Sequence, residues 1–330
     1  MKAFVTGPTG FLGINLLQHL AKEGWDIIAF HRPTSDLSEV KKIARVGYAI
    51  GDVRDLDSLL RGLPVGVDAI FHTAGSVGFL LPEEEKSQYE INEHGTRNLV
   101  TAAFARSARR FIYTSTVLTY DFSCGGRITE QSPPNMSEVY PYIHSKYLAE
   151  REVEAALARG LDAVFLHPSA IFGAYDKATW SQAFEAVQRG RLPAAPPGGA
   201  SFCHMRRVAE AHVSAFYKGR TGEHYLLGGV DASFLEVTQA IAKILRRRGP
   251  RVVLPAPLFR LFGRLEYYVS RRLGRKPVFT PDLADIMCET VLCDSRKAMI
   301  ELGYRPSALE TMLLDCYEWL LESKTLRVAA

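Results

Sequence analysis

Short apolar runs alternate with helix-period segments through the first half of the chain. Strands are predicted at Ala3–Thr6, Ile27–Phe30, Tyr48–Ile50, Ala69–His72, Arg110–Thr114 and Ala163–His167. Between them, Phe11–Glu23, Glu85–Arg106 and Tyr142–Arg159 carry apolar residues at helical spacing. Regular β-α alternation predicts an α/β fold, a parallel sheet with helices on both faces. After about residue 170 the pattern changes. Proline and glycine cluster in "GRLPAAPPGGA" and again in "GPRVVLPAPLF", which read as loops of a smaller, less regular lobe.

Composition narrows the class. With 330 residues, 47% of them hydrophobic, the chain can bury one large α/β core and an appended lobe. A net charge of +4, from 40 basic and 36 acidic residues, is too mild to point to nucleic acid. Five cysteines, at 124, 203, 288, 293 and 316, form no CxxC pair, which predicts a reduced, cytoplasmic protein. Histidines and cysteines are scattered without zinc-type spacing, so no metal is expected. "MKAFVTG" runs straight into a strand, so no signal peptide is expected. No apolar run approaches the roughly 20 residues that span a bilayer.

The chemistry begins at "AFVTGPTGFLG", where a strand meets Gly7, Gly10 and Gly13 and a helix follows at once. Glycines so placed allow a tight turn and close approach of backbone to a pyrophosphate, which the helix N-terminus attracts. With Thr6 in front, the run resembles the TGxxGxxG of the extended short-chain dehydrogenase/reductases, within the NAD-dependent epimerase/dehydratase superfamily. "GDVRD" (51–55), "FHTAG" (71–75), "NEHGTRNLV" (92–100), "YTSTVLTY" (113–120), "HPSAIFG" (167–173) and "LGYRP" (302–306) resemble that family's later segments in order. The chain looks closest to the dihydroflavonol reductase and 3β-hydroxysteroid dehydrogenase-like members. It departs from the pattern at His167, where arginine is usual, at Gly75, where alanine is usual, and at Arg206-Arg207, where relatives commonly carry two aspartates.

The resemblance implies a Rossmann-type doubly wound sheet over residues 1–170, with a returning segment near 203–230. A smaller substrate lobe would come from 171–202 and 231–330. The cofactor would lie against Gly7, Thr9, Gly10, Phe11, Leu12 and Gly13, with Asp52 and Val53 at the adenine. Thr73, Ala74, Gly75, Pro168 and Ile171 would line its remainder. Many relatives dimerise through a four-helix bundle, so a homodimer is implied.

Tyr142 lies four residues before Lys146, so both project from one helix face. A phenol titrates near 10, and a neighbouring ammonium favours its ionised form. Such spacing also occurs in plain helix packing. Following the glycine turn and a hydroxyl-rich strand end, it resembles the family's catalytic pair, and both residues would also touch the cofactor. Tyr140 and Tyr147 have no lysine four residues on and read as packing residues. The third catalytic group is a hydroxyl, Thr116 by the resemblance or its neighbour Ser115. Alternation along a strand lets only one of them serve.

The residue about 20 positions after the glycines selects the cofactor. Here His31 and Arg32 stand at that place, with Lys41 and Lys42 nearby, and no acid does. Arginine suits a 2′-phosphate, so NADP is expected over NAD, although a solvated surface arginine gives the same sequence. The expected activity is interconversion of an alcohol and a ketone on a bulky, apolar ring. The alternative is a nucleotide-sugar epimerase or dehydratase with tightly held NAD. "RPTSD" and "PYIHSKYLAER" also resemble a sugar-epimerase-like subgroup associated with hopanoid lipid synthesis. A dinucleotide-sensing regulator is the remote reading, because such proteins usually lose the tyrosine–lysine pair.

One further segment stands out. After Pro257, Leu258, Leu261, Phe262, Leu265, Tyr268 and Val269 recur at helical spacing, with Arg260, Arg264, Arg271, Arg272, Arg275 and Lys276 around them. A basic amphipathic helix predicts a membrane-surface contact through 258–276. The alternative is a lobe helix packing its apolar face on the core under a solvated basic rim.

Overall fold

The structure is a computed structural model that describes residues 1–326 apart from Leu80, Cys124, Ala178 and Lys276. Cys124 and Lys276, both named above, therefore lie outside the described residues. The chain opens with β1 (Lys2–Thr6), α1 (Phe11–Lys22), β2 (Asp26–His31), β3 (Val46–Ile50), α2 (Leu56–Gly62) and β4 (Ala69–His72). It continues through α3 (Pro82–Tyr89), a π-helical turn (Glu90–His94), α4 (Gly95–Ala105), β5 (Arg110–Thr114), β6 (Arg127–Ile128), α5 (Pro141–Leu157) and β7 (Ala163–Pro168). Then come β8 (Ala170–Phe172), α6 (Ser181–Gln188), β9 (Gly199–His204), α7 (Met205–Lys218), β10 (His224–Leu227), β11 (Val230–Ser233) and α8 (Phe234–Ile244). The last elements are α9 (Ala256–Arg272), α10 (Pro281–Ile286), β12 (Thr290–Cys293), α11 (Arg296–Glu301) and α12 (Leu309–Glu322).

A seven-stranded parallel sheet in the order β10-β7-β5-β4-β1-β2-β3 forms the centre, the predicted α/β, Rossmann-type architecture. The chain winds one way from β1 to β3 and the other way from β4. The switch between β1 and β4 opens a crevice at the strand C-termini, where ligands of such sheets bind. Leu16, Leu17 and Leu20 of α1 and Val208, Ala211 and Ala215 of α7 belong to the core on one face of the sheet. Leu99 and Ala103 of α4 and Val153 and Ala156 of α5 belong to the core on the other. The lobe is built on a smaller sheet, β11-β9-β12-β6 with β8 beside β9, over a core containing Phe172, Phe184, Phe202, Val237, Ile241 and Trp319.

The predicted strands appear within two residues of their expected bounds. The predicted helix Glu85–Arg106 is instead interrupted by the π-helical turn at its centre, which re-aims Asn92. A period-3.6 reading cannot register one extra residue in a turn. The residues from Leu258 to Val269 do form a helix, α9, but its apolar stripe does not pack on the core. Only Phe259 and Gly263 are buried, whereas Leu258, Leu261, Phe262, Leu265, Tyr268 and Val269 are each 49–68% exposed. At the junction with the lobe, Arg206 pairs with Asp315 of α12, and Arg207 pairs with Glu210 at 2.7 Å.

Candidate active site

The crevice starts at the turn after β1. Gly7 has φ +68°, and a Cβ there would come within 2.7 Å of the Ala74 nitrogen. A Cβ on Gly13 would lie 2.1 Å from the Gly7 carbonyl oxygen, so glycine lets α1 close on the turn. Hydrogen bonds stitch the turn to the end of β4. The Thr73 hydroxyl donates to the Thr6 carbonyl at 2.7 Å, and the Ala74 N–H donates to Thr6 Oγ1 at 3.2 Å. Gly10 stands exposed at the start of α1, with Thr9, Phe11 and Leu12 partly exposed beside it. That helix has no capping side chain and no acidic residue in its first turn. Its leading N–H groups and positive end are thus free for an anion, and a dinucleotide pyrophosphate fits here.

The rim of the crevice carries Asp52, Val53 and Arg32. Asn98 donates to the carbonyls of Val53 at 3.1 Å and Arg54 at 3.0 Å, fixing the segment after β3. The Asp52 carboxylate is held by Arg54 at 2.8 Å. That bond lowers its pKa, opposed by burial, and the Arg32 charge adds a smaller pull. Arg32 is exposed at the end of β2 and forms no ion pair among the described residues. Gly75 follows Ala74 at the end of β4, where a Cβ would lie 3.3 Å from Asn92 Oδ1, and Pro168 and Ile171 lie in β7 and β8.

Pro141, with its φ already suited to a helix, starts α5 directly before Tyr142. Tyr142 and Lys146 share a face of this helix, and both are buried. Burial pushes the phenol up to about 12, opposed by the neighbouring Thr116 hydroxyl. The lysine does not lower the phenol as its spacing suggests. Its Nζ donates instead to the Thr114 carbonyl at 2.6 Å and stands 4.5 Å above the Tyr113 ring. Burial pulls the amine down to about 8. A phenol so placed stays protonated near neutrality, as a proton donor requires. The Ser115 hydroxyl turns the other way and donates to the Glu150 carboxylate. The rings of Tyr140 and Tyr142 both meet Phe79 edge-on, at 6.2 and 6.0 Å, while Tyr147 stacks on His144 at 6.5 Å.

Several residues behind this pair received no role in the sequence reading. Glu150 continues the Tyr142–Lys146 spacing by another turn, and burial raises its carboxyl to about 7. His167 Nδ1 lies 3.7 Å from Glu150, and His167 Nε2 hydrogen-bonds His224 Nδ1 at 2.9 Å. His224 Nε2 lies 3.6 Å from the partly exposed Glu154. Donor atoms of Glu150, His167 and His224 all come within 4.8 Å of one another, a grouping hidden from sequence spacing. The imidazoles face each other through a shared hydrogen bond, and two nitrogens joined by one proton cannot both present lone pairs to one ion. The grouping therefore reads as a hydrogen-bonded line running outward from Glu150. Asn92, re-aimed by the π-helical turn, donates to Ser145 Oγ at 3.0 Å and the Ser76 carbonyl at 2.9 Å. It ties α5 to the loop after β4. The glutamate was legible as a second step of four after Tyr142; the histidine pair requires knowing that β10 lies beside β7.

Comparison with known proteins agrees with this arrangement. A Synechocystis sp. protein provisionally named dihydroflavonol 4-reductase is 30% identical over 324 residues, covering 96% of this chain and 93% of the relative. Sterol demethylase protein B of Methylococcus capsulatus is 29% identical, covering 98% and 99%. The crystal structure of gox2253 superposes with a TM-score of 0.85 at 29% identity, covering 98% and 99%. The model of the NAD dependent epimerase/dehydratase family matches residues 3–228, well over half of the sequence, and the chain belongs to that family.

Proposed function

We propose that the chain is an NADP(H)-dependent dehydrogenase/reductase that interconverts an alcohol and a ketone on a bulky, largely apolar ring substrate. The observation that carries this reading is a buried, protonated Tyr142 phenol with the Thr116 hydroxyl beside it and Lys146 buried on the same helix face. In reduction the dinucleotide supplies the hydride. Tyr142 Oη passes its proton to the carbonyl oxygen, and the Thr116 hydroxyl holds that oxygen in place. Lys146, on the same helix face, is held on the Thr114 carbonyl and braces the end of β5 that leads to Thr116. Phe79 and Tyr140 give the tyrosine an aromatic surround suited to an apolar ring. The reductase and sterol-related names of the two relatives lean the same way. For the cofactor, Arg32 stands unpaired where a 2′-phosphate would be met, with no acid in its place.

A screen of sterols, flavanones, bicyclic ketones and nucleotide sugars with NADPH and NADP⁺ tests the reading. Turnover of at least one apolar ring substrate is expected. Epimerisation of a nucleotide sugar by protein that releases NAD only on denaturation, with no apolar substrate turned over, would replace it with the nucleotide-sugar reading.

A further inference from the structure

The apolar stripe of α9 is unusual because nothing in the described chain covers it. Leu258, Leu261, Phe262, Leu265, Tyr268 and Val269 recur every three or four residues, and every one is about half exposed or more. The 17-residue helix is about 26 Å long at 1.5 Å per residue. It is anchored by a narrow seam: Phe259 packs on Phe279 with ring centroids 5.6 Å apart, and Gly263 lies against Ala284 of α10. Arg260 is committed to Asp285 and Glu289, each at 3.0 Å, and Arg271 to Glu83 of α3. Arg264, Arg272 and Arg275 form no ion pair among the described residues, and all three are exposed. The acid within the helix, Glu266, is occupied by Ser270 and the backbone N–H groups of Val278 and Phe279. The solvent side of α9 thus presents an apolar stripe beside uncompensated positive charge.

We propose that this face docks the protein on an anionic lipid bilayer, with α9 lying in the interface plane. A helix with an apolar stripe and a basic flank matches such a surface on both counts. No described helix is long and apolar enough to cross a membrane, so α9 lies on it. A second copy of the chain is the poorer partner. A two-fold contact through this face would set Arg264, Arg272 and Arg275 against the same residues of the other copy. The position of the helix gives docking a purpose. Thr280, at the start of α10, donates to the Phe79 carbonyl at 3.2 Å, and Phe79 packs on Tyr142. A bilayer under α9 would lie alongside the wall of the site, where an apolar molecule could pass to it without crossing water.

Flotation with vesicles tests this without any turnover, so it stands apart from the substrate reading. Wild-type protein should float with phosphatidylcholine vesicles containing phosphatidylglycerol, less with phosphatidylcholine alone, and less again as salt is raised. The double variant Leu265→Glu, Val269→Glu should lose at least tenfold in vesicle binding. Both positions are exposed, so its melting temperature should be unchanged. The double variant Arg264→Glu, Arg272→Glu should lose the preference for anionic vesicles. Wild type remaining in the bottom fraction, or a stripe variant floating as well as wild type, overturns the proposal. So does a wild-type dimer that the stripe variant dissolves while no protein floats, which would assign the face to a second copy.

Discussion

The Ser115 hydroxyl donates to the Glu150 carboxylate, whereas the next hydroxyl along the chain, that of Thr116, lies on the side of the Tyr142 phenol. Adjacent residues leaving a strand point to opposite sides, and here the two sides are the Tyr142 phenol and the buried polar line behind it.

Tyr142→Phe keeps the ring against Phe79 and removes the hydroxyl proposed as proton donor. Turnover should fall roughly a hundredfold to ten-thousandfold. The Kd for NADPH, followed by fluorescence, should stay near the wild-type value. Tyr140→Phe, whose ring meets Phe79 from the helix start, should be nearly silent. Retention of more than about a tenth of the activity by Tyr142→Phe would remove this residue from the chemistry.

Thr116→Val and Ser115→Ala should separate activity from stability. Thr116→Val takes away the hydroxyl beside the phenol, which in the proposed mechanism holds the substrate oxygen, so kcat should drop at least tenfold with little change in melting temperature. Ser115→Ala strips a buried carboxyl of its hydrogen bond, which costs about 1.5–3 kcal/mol of stability. Its kcat should change far less. The reverse pattern would make Ser115 the catalytic hydroxyl.

The sheet, the glycine turn and the shared face of Tyr142 and Lys146 were legible because each is local. Strands Ala69–His72 and Arg110–Thr114 are single apolar runs between polar segments, and the glycine turn and the Tyr142–Lys146 step each lie within a few residues. What escaped depends on long-range neighbours. His167 meets His224 only because β10 closes the sheet beside β7. The phenol's pKa is set by its burial, which spacing to a lysine does not reveal. For α9, periodicity identified an apolar stripe but not what covers it. The sequence contains no difference between a stripe on a core and a stripe in solvent.

Arg32→Asp should weaken NADPH binding far more than NADH binding. The guanidinium is exposed and free of ion pairs at the end of β2, so its replacement disturbs no packing. An aspartate there would repel a 2′-phosphate and accept a hydrogen bond from a 2′-hydroxyl. Dissociation constants of both cofactors with both proteins decide the matter. Equal losses for the two cofactors, or tighter NADH than NADPH binding by wild type, would reject Arg32 as the selecting residue.

Acid should unfold the protein through its buried imidazoles. Burial pulls His72 down to about 3 and His212 and His224 to about 4, and it holds His167 well below the ordinary range. Lys146 adds to the shift at His72 and His167, as Lys297 does at His224. In the unfolded chain each titrates near 6.5. Above that pH all four are neutral in both states and their contribution is fully present. As the pH falls below it, the unfolded chain takes up protons that the folded chain refuses, so stability is lost progressively down to about pH 4. Glu150 works the other way. Its carboxyl, raised to about 7, weakens the fold as pH climbs from the ordinary carboxylate range towards 7. Four imidazoles outweigh one carboxyl, so the melting temperature should fall between about pH 6.5 and about pH 4. His224→Gln retains polar atoms beside His167 and Glu154 but cannot titrate, and its melting temperature should fall less over that interval. A wild-type melting temperature that is flat or rises on acidification would contradict the assignment, as would a His224→Gln slope equal to that of wild type.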